Sequence, residues 1–315
     1  MRMKINLIAR SNGVGLDQDV NLCKEVLERN GHEVLQSHSR GVSWWQRLLP
    51  QKPKYDVNIF MERVFPAWCP FAKKNILIPN QERFPERHLR LLDRVQHVFC
   101  KTQHAETIFK QHHASVFHIG FTSRDRLMNE VSPNYRTWFH LAGRSTLKGT
   151  ETLLKLWQKH PEWPSLTLVQ HKANAPDSVP DNIHLITDYL SNEALNQLQC
   201  SHGIHCCPSL SEGWGHHMVE GMSTGAVVIT TDAPPMNELV HRTRGFLVPY
   251  RESEGRHLGT NYRVDAQALE QTIQAIIASD QDHLEEMGQK ARVWFATNQK
   301  AFETRLIEAL RQCLS

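Results

Sequence analysis

Short apolar runs rich in β-branched residues alternate with helix-like segments along this chain of 315 residues. KINLIA (4–9) and YDVNIFM (55–61) have the length of buried strands, whereas DQDVNLCKEVLERNG (17–31) has apolar residues at helical spacing and ends at a glycine. Strands that alternate with helices predict parallel sheets built from β-α-β units, so the expected fold class is α/β.

The alternation lapses once, in the polar stretch GFTSRDRLMNEVSPNYR (120–136), and restarts with TWFHLAG (137–143). A chain of this length accommodates about two domains with separate cores. We therefore predict two such α/β domains, at residues 1–130 and 131–296. The tail is helical in pattern, and we predict two helices joined near Thr297–Asn298, with the last helix over residues 297–315.

Composition excludes several classes of protein. The net charge is only +3 and no dense basic stripe occurs, so we expect no nucleic-acid partner. Seven cysteines without framework spacing indicate reduced thiols rather than a secreted disulfide scaffold. The apolar run near the N-terminus is too short for a signal peptide, and no stretch is long enough to span a membrane. We predict a cytoplasmic location.

One segment suggests contact with a membrane surface. RGVSWWQRLLPQKPK (40–54) places two tryptophans and two leucines among basic residues. Such a segment can lie on an anionic membrane, near a lipid-linked acceptor, or it can pack its aromatic side chains on its own domain. Both readings stay open, so a peripheral position at the inner membrane face is compatible with the sequence but not required by it.

The segment SEGWGHHMVEGMSTGAVVITT (211–231) combines two glutamates, a glycine-rich turn and an apolar run. It follows the predicted strand GIHCCP (203–208), and ligands of parallel sheets bind beyond the carboxyl ends of strands. Two carboxylates beside a phosphate would repel it. Glu212 and Glu220 are therefore better suited to hold the hydroxyl groups of a sugar and a ribose.

The turn between these glutamates suits a phosphate or a sugar. Gly213 and Gly215 have no side chain, so the backbone can approach a ligand closely. The amides of Gly215, His216 and His217 are expected to open a helix N-terminus, which favours anions.

A second anion site is predicted in HLAGRSTLKG (140–149), where another strand ends and a helix begins. Arg144 and Lys148 lie four positions apart in this loop. Both can make charge-assisted hydrogen bonds to a diphosphate, and such contacts strengthen as charge develops on a leaving group.

LAGRSTLKG, the two glutamates with seven residues between them, and DAPPMNELV (232–240) together resemble the retaining GT-B glycosyltransferases of glycosyltransferase family four. The resemblance covers the C-terminal half well and the N-terminal half in outline. It implies two Rossmann-like domains, a final helix that returns to the first domain, and metal-independent transfer of a hexose without a cofactor. The implied partners are a nucleoside-diphosphate sugar donor and a sugar, lipid-linked or protein acceptor, used in glycan or glycoconjugate synthesis.

The resemblance also assigns roles to residues. Arg144 and Lys148 would bind the diphosphate, Glu212 would contact the transferred sugar near its reacting centre, and Glu220 would bind the ribose. These assignments make Glu212, Arg144 and Lys148 the predicted catalytic set. The remaining predicted binding positions are the backbone at Gly213, Gly215, His216 and His217, the base contacts Tyr189 and Leu190, and Gly13 and Gly15 in the loop after the first strand.

Two departures from the family pattern stand out. The usual Gly-Phe-Gly-Leu-Pro is here Gly-Trp-Gly-His-His (213–217), and a usual alanine is Gly221. Many relatives also carry a supporting histidine in the first domain, for which this sequence offers no match.

Alternative readings remain. QCSHGIHCCPS (199–209) could hold zinc, but we interpret its cysteines as part of a buried strand and expect no metal. Asp17/Asp19 and Asp280/Asp282 form Asp-x-Asp pairs, which we interpret as helix caps. For function, a nucleotide-sugar epimerase on the same fold and a non-catalytic nucleotide-sugar-binding subunit both remain as alternatives to a glycosyltransferase.

Overall fold

The computed structural model describes residues 2–10, 15–43 and 52–313. The chain divides into two compact units. Unit 1 comprises Met1–Ser123, Arg256–Gly259 and Asn298–Ser315, and unit 2 comprises Arg124–Gly255 and Thr260–Thr297.

Unit 1 is built on a parallel sheet that has six strands among the described residues, in the order β2-β1-β3-β4-β5-β6. The strands are β1 (Lys4–Ala9), β2 (Glu33–His38), β3 (Tyr55–Glu62), β4 (Ala72–Pro79), β5 (His97–Cys100) and β6 (Val116–His118). Its helices are α1 (Gly15–Arg29) and α2 (Gln103–Phe109), with 3-10 helices at Pro66–Phe71, Gln81–Arg83 and Glu86–Arg94.

A ladder of asparagines crosses the buried centre of this sheet. Asn6, Asn58 and Asn75 face each other in register on β1, β3 and β4. The Asn6 amide donates to Asn58 at 3.3 Å, and the Asn58 amide donates to Asn75 at 3.0 Å. A shift of one residue would leave buried amides without partners, so the ladder helps to fix the register of three strands.

Unit 2 contains the second parallel sheet, again with six strands among the described residues, in the order β12-β11-β10-β7-β8-β9. The strands are β7 (Asn134–Gly143), β8 (Leu166–Gln170), β9 (Ile183–Ile186), β10 (His202–Cys207), β11 (Val227–Thr231) and β12 (Gly245–Val248). Its helices are α3 (Thr150–Lys159), α4 (Asn192–Ser201), α5 (His216–Ser223), α6 (Met236–Leu239) and α7 (Ala266–Ile277), followed by α8 (Gln281–Gln312), which continues into unit 1. The predicted α/β class with two parallel sheets is confirmed.

Large apolar side chains fill the space between the sheet of unit 2 and its helices. Trp138 on β7 packs edge to face on Trp157 of α3, with ring centres 5.8 Å apart, and Trp157 packs in the same way on Trp163 at 5.1 Å. Burial of side chains this large contributes strongly to the stability of the unit. This core holds β7 and α3 together at the loop between them.

The tail differs from the prediction. Residues 281–312 form one continuous helix, α8, so the predicted break near Thr297–Asn298 is wrong. Thr297 donates its hydroxyl to the Val293 carbonyl one turn earlier, at 3.0 Å, and Asn298 donates to the Phe121 carbonyl at 2.8 Å. Both weak helix formers thus find hydrogen-bond partners within the helical conformation, and tertiary contacts override their propensity.

Sequence analysis missed a hairpin formed by β13 (Tyr250–Arg256) and β14 (Gly259–Val264). Most residues of β13 are exposed, so this strand has no apolar pattern to reveal it. Residues 44–51 of the predicted membrane-contact segment lie outside the described residues. Within the described part of the chain, no helix is long and apolar enough to cross a membrane.

Candidate active site

The sheet of unit 2 has a topological switch point between β7 and β10. From β7 the sheet extends through β8 and β9 on one side, whereas β10, β11 and β12 lie on the other side. Ligands of open α/β sheets bind at such a point, beyond the carboxyl ends of the strands. The loops that leave β7 and β10 are joined there by a hydrogen bond from the Leu210 amide to the Leu147 carbonyl, at 2.8 Å.

These two loops bring Lys148 and Glu212 into direct contact. Lys148 Nζ lies 2.6 Å from Glu212 Oε1, and the two side chains are only 17% and 9% exposed. Solvent screens a largely buried pair weakly, so the ammonium and carboxylate groups hold each other in place. Two residues of the predicted catalytic set, Lys148 and Glu212, are therefore in contact at the switch point.

His217, in the first turn of α5, completes this group. Its Nδ1 lies 3.3 Å from Lys148 Nζ, and its Nε2 lies 3.2 Å from the Ser209 hydroxyl. Burial, reinforced by the charge of Lys148, holds the pKa of His217 well below its usual range, so the ring is neutral at pH 7. An ammonium can only donate, so Nδ1 accepts from Lys148 and Nε2 carries the ring proton.

A second buried histidine, His140, supports the loop between β7 and α3. His140 Nδ1 donates to the Cys206 carbonyl at 2.6 Å, and the Thr150 hydroxyl lies 2.9 Å from Nε2. Burial lowers the pKa of His140 to about 4, so this ring is also neutral at pH 7. It ties β7 and β10 to the start of α3, two residues after Lys148.

Glycines allow both helices to begin close to the neighbouring loops. Gly149 precedes α3 with φ 75°, and Gly215 precedes α5 with φ 102°. A Cβ atom on Gly149 would also collide with the Pro208 carbonyl oxygen in the loop after β10. Glycine at position 149 is therefore needed both for the backbone conformation and for the close approach of the two loops.

The other predicted groups of these loops differ in exposure. Arg144 is exposed, and its carbonyl accepts a hydrogen bond from Asn174 at 2.9 Å. Gly213 is buried, whereas His216 at the start of α5 is half-buried. The guanidinium of Arg144 thus lies on the solvent side of the loop that carries Lys148.

Glu220, one turn along α5, is buried in a network of its own. Its Oε1 accepts from Arg126 Nη2 at 3.1 Å, and its Oε2 accepts from Gln199 Nε2 at 3.1 Å. Arg126 was missed by sequence analysis, because it lies in the polar stretch that we interpreted as a break between domains. A lone arginine in such a stretch gives no signal that its side chain is buried.

The packing of α5 also explains why position 221 is a glycine. A Cβ atom there would lie 2.6 Å from Nδ1 of His205, whose buried ring packs under α5. His205 Nε2 is directed at the carbonyls of Gln199 and His202, both at 3.1 Å. The departure from the usual alanine therefore accommodates a buried histidine.

Residues 142–258 match the family model described as "Glycosyl transferases group 1". The chain carries a glycosyltransferase domain. The matched residues include both loops at the switch point and the whole of α5. They cover about a third of the chain and lie almost entirely in unit 2.

Solved structures show that the whole chain has the GT-B fold. HepE from Anabaena, in complex with UDP and glucose, has a TM-score of 0.72 at 16% identity, over 99% of this chain and 100% of HepE. A glycosyltransferase from Rickettsia africae has a TM-score of 0.72 at 14% identity, over 99% of each chain. Sucrose-phosphate synthase from Thermosynechococcus elongatus has a TM-score of 0.72 at 16% identity, over 99% of each chain. A search of curated protein sequences finds no match.

The predicted base contacts also lie within the glycosyltransferase domain. Tyr189 and Leu190 follow β9 and precede α4, at the carboxyl edge of the same sheet. The Tyr189 side chain is 94% exposed, and Leu190 is half-buried. An exposed aromatic ring at this edge is available for stacking, but the described contacts do not connect it to Lys148 or Glu212.

The predicted glycine loop belongs to unit 1, outside the glycosyltransferase domain. Gly13 lies outside the described residues, and Gly15 is the first residue of α1. A Cβ atom on Gly15 would meet no atom within 4 Å. The described part of the loop thus shows no steric need for glycine at this position.

The histidines of the alternative zinc cluster have other partners. His202 Nδ1 lies 2.7 Å from the Leu198 carbonyl, and its Nε2 lies 2.9 Å from the Thr167 hydroxyl. His205 is directed at backbone carbonyls, as described above. Within residues 2–10, 15–43 and 52–313, no three His, Cys, Asp or Glu residues form a group that could hold a metal ion.

Unit 1 contains a buried ion pair that corrects one prediction. Asp19, interpreted from the sequence as a helix cap, lies in the second turn of α1 and forms a salt bridge with Lys101, the residue after β5. Lys101 Nζ also donates to Asn80 at 2.9 Å and lies 4.6 Å from the ring centre of Phe121. The burial of this aspartate could not be recognised without its distant partner.

Proposed function

We propose that this chain is a retaining, metal-independent hexosyltransferase of glycosyltransferase family four. It would transfer a sugar from a nucleoside-diphosphate sugar to an acceptor hydroxyl. The observation that carries the proposal is the Lys148–Glu212 pair, 2.6 Å long, at the switch point of a sheet within the glycosyltransferase domain. In this pair, Lys148 would be the cation that binds the diphosphate, and Glu212 would be the carboxylate that binds the sugar.

The cations in the loop after β7 have the chemistry that a diphosphate needs. Lys148 directs two of its three N–H bonds at Glu212 and His217, so the third can be directed at a phosphate oxygen. Arg144, exposed four residues earlier, adds a guanidinium that suits phosphate geometry. We propose that these two cations stabilise the departing diphosphate in the role that a metal ion has in other transferases.

The remaining contacts would hold the donor along the carboxyl edge of the sheet. Glu212 would accept hydrogen bonds from the transferred sugar, and Glu220 would accept them from the ribose. The base would lie against Tyr189 and Leu190. The backbone at the start of α5 would hold phosphate or sugar groups, and the positions proposed for this contact are Gly213, Gly215, His216 and His217.

Neutral histidines suit this arrangement. Because His217 carries no charge at neutral pH, it supports Lys148 without adding a second cation that would repel it.

In the transfer step, the bond between the anomeric carbon and the diphosphate oxygen breaks as the acceptor oxygen bonds to that carbon. The acceptor attacks from the face that the diphosphate leaves, and its proton passes to the departing phosphate oxygen.

The donor class is supported by what the relatives bind. HepE has been solved with UDP and glucose, and also with UDP-glucose. We propose a UDP-hexose as the first donor to test.

We further propose a role for each part of the chain. Residues 1–130, including Gly13 and Gly15, would form the acceptor side, and residues 131–296 would bind the donor. Residues 297–315 would pack on the first domain.

A thermal-shift panel of UDP, GDP, TDP and ADP, with and without EDTA, tests the donor site. A ligand that binds only the folded state raises the melting temperature by mass action. We expect one nucleotide to raise it clearly, with the same shift in EDTA. A shift that disappears in EDTA would contradict metal independence, and no shift with any nucleotide would contradict the proposed function.

A further inference from the structure

We propose that Arg126 is a positioning residue that sets Glu220 for ribose binding. This inference rests on the proposed function, in which Glu220 accepts hydrogen bonds from the ribose of the donor. Arg126 stands 94 positions before Glu220 and lies outside the matched residues 142–258. Within unit 2, its guanidinium is nevertheless in direct contact with the Glu220 carboxylate.

The main chain of Arg126 is fixed to the ends of two helices. Its amide donates to the Ser223 hydroxyl at the end of α5, at 2.9 Å. Its carbonyl accepts from the Cys200 thiol near the end of α4, at 3.0 Å. These contacts place the start of the side chain between α4 and α5.

The guanidinium then bridges the same two helices. Nη1 donates to Asn196 on α4 at 2.7 Å, while Nη2 donates to Glu220 on α5 at 3.1 Å. Gln199 on α4 donates to the second oxygen of Glu220 at 3.1 Å. Each carboxylate oxygen is therefore held by a donor from a different residue, which fixes the rotation of the carboxylate as well as its position.

The charge of Arg126 is as important as its geometry. The side chains of Arg126 and Glu220 are only 7% and 4% exposed, and a carboxylate buried to this degree needs a compensating cation. Paired in this way, the carboxylate acts as an acceptor, which is the role that ribose hydroxyls require.

The network leaves two buried polar atoms unsatisfied within the part of the chain that the structure describes. Among the described residues, Nε of Arg126 and Oε1 of Gln199 are buried without a hydrogen-bond partner. Unsatisfied buried groups cost free energy, and they are tolerated where the arrangement serves a purpose besides folding. The purpose that we infer is to hold the Glu220 carboxylate at one orientation.

The test compares two nucleotides that differ only in the groups assigned to Glu220. UDP and 2′,3′-dideoxy-UDP share the base and diphosphate, but the second lacks both ribose hydroxyls. Their dissociation constants are measured by calorimetry for wild type, Arg126→Met, Arg126→Lys and Glu220→Gln. The ratio of the two constants reports hydroxyl recognition, and a general loss of structure would weaken both nucleotides together.

We expect wild type to prefer UDP by about tenfold or more, as for a site that hydrogen-bonds a ligand hydroxyl through a charged group. In Arg126→Met and Glu220→Gln the preference should fall to about twofold or less, and Arg126→Lys should lie between. If the methionine variant does not fold, Arg126→Lys and Gln199→Met replace it. Retention of the full wild-type preference in the Arg126 variants would overturn the inference.

Arg292→Met is the matched control. Arg292 of α8 also anchors the segment around Arg126, through Asp125 at 2.6 and 2.8 Å and the Ser223 carbonyl at 2.7 Å, but the described contacts do not include Glu220. We expect it to keep the wild-type ratio, and a loss there would reduce Arg126 to a structural anchor. Wild type that binds no UDP would overturn the proposed UDP-hexose donor as well, whereas equal binding of both nucleotides would overturn only the ribose role of Glu220 and this inference.

Discussion

Lys148 Nζ lies 2.6 Å from Glu212 Oε1, although the two residues are 64 positions apart in the chain. The contact exists because β7 and β10 are neighbours in the sheet, so that the loops following them meet at its carboxyl edge. Sequence analysis assigned Lys148 to the diphosphate of the donor and Glu212 to its sugar. In the structure these two side chains are in direct contact. The following predictions depend on that arrangement.

Glu212→Gln should separate nucleotide binding from sugar transfer. The glutamine keeps a hydrogen-bonding side chain but removes a negative charge next to the proposed diphosphate site. We expect the dissociation constant for the nucleoside diphosphate to stay within about threefold of wild type or to become tighter, because charge repulsion falls. Turnover of the sugar donor should fall at least about tenfold, because a charged acceptor for the sugar is lost. Calorimetry and a nucleotide-release assay measure the two effects, and unchanged turnover would contradict the role of Glu212.

Gly149→Ala should destabilise the protein and disturb the site together. Alanine is strained at φ 75°, and its Cβ would collide with the Pro208 carbonyl oxygen. We expect the free energy of unfolding to fall by at least about 2 kcal/mol. Gly255→Ala is the control, since a Cβ there meets no atom within 4 Å. Urea unfolding of both variants checks the prediction, which fails if they are equally stable.

Stability should decrease in acid because of buried neutral histidines. Burial lowers the pKa of both His140 and His205 to about 4. Below about pH 6.5 the unfolded chain takes up protons that the folded chain does not, so the unfolded state is favoured as the pH falls. Each histidine should lower the free energy of unfolding by up to about 3 kcal/mol between about pH 6.5 and about pH 4, with no effect above this range.

His205→Gln tests this pH dependence. Glutamine does not titrate, so the loss of stability in acid should be smaller by the contribution of one histidine. His241→Gln, at an exposed position, serves as the control and should follow the wild-type curve. Urea unfolding at several pH values measures the slopes. Parallel curves for wild type and His205→Gln would rule out a contribution from this buried ring.

The stereochemistry of the product tests the retaining mechanism. If the acceptor attacks from the face that the diphosphate leaves, the new glycosidic bond has the anomeric configuration of the donor. Proton NMR of the product, recorded early in the reaction, distinguishes the two anomers. An inverted product would contradict the retaining mechanism while leaving the donor site intact.

Much of the fold could be predicted from the sequence because buried parallel strands are short apolar runs. KINLIA and YDVNIFM were expected as strands and form β1 and β3. The hairpin of β13 and β14 was missed, since its exposed polar residues lack that pattern. The continuous helix α8 was missed because Thr297 and Asn298 are weak helix formers. Thr297 is bonded to Val293 one turn earlier, but the partner of Asn298 is Phe121, which is distant in the sequence.

The candidate site was predictable only in part. Lys148, Glu212 and Glu220 stand in recognisable segments, whereas Arg126, which contacts Glu220, does not. Arg126 lies in a polar stretch without periodicity, and its contact with Glu220 spans 94 positions. The pairing of Asp19 with Lys101 is likewise a tertiary contact, across 82 positions. Long-range pairs of this kind depend on the order of strands in the sheet, which a single sequence does not specify.

The most direct test of the proposed function is acceptor-dependent turnover of UDP-glucose and related donors by wild type and Lys148→Met. We expect wild type to release nucleoside diphosphate only when an acceptor is present. The variant, compared as folded protein, should lose about 100-fold or more of this activity, as when a group that stabilises developing charge is removed. Lys155→Ala, which alters an exposed lysine of α3, should keep full activity. Near wild-type turnover by a folded Lys148→Met would contradict the account.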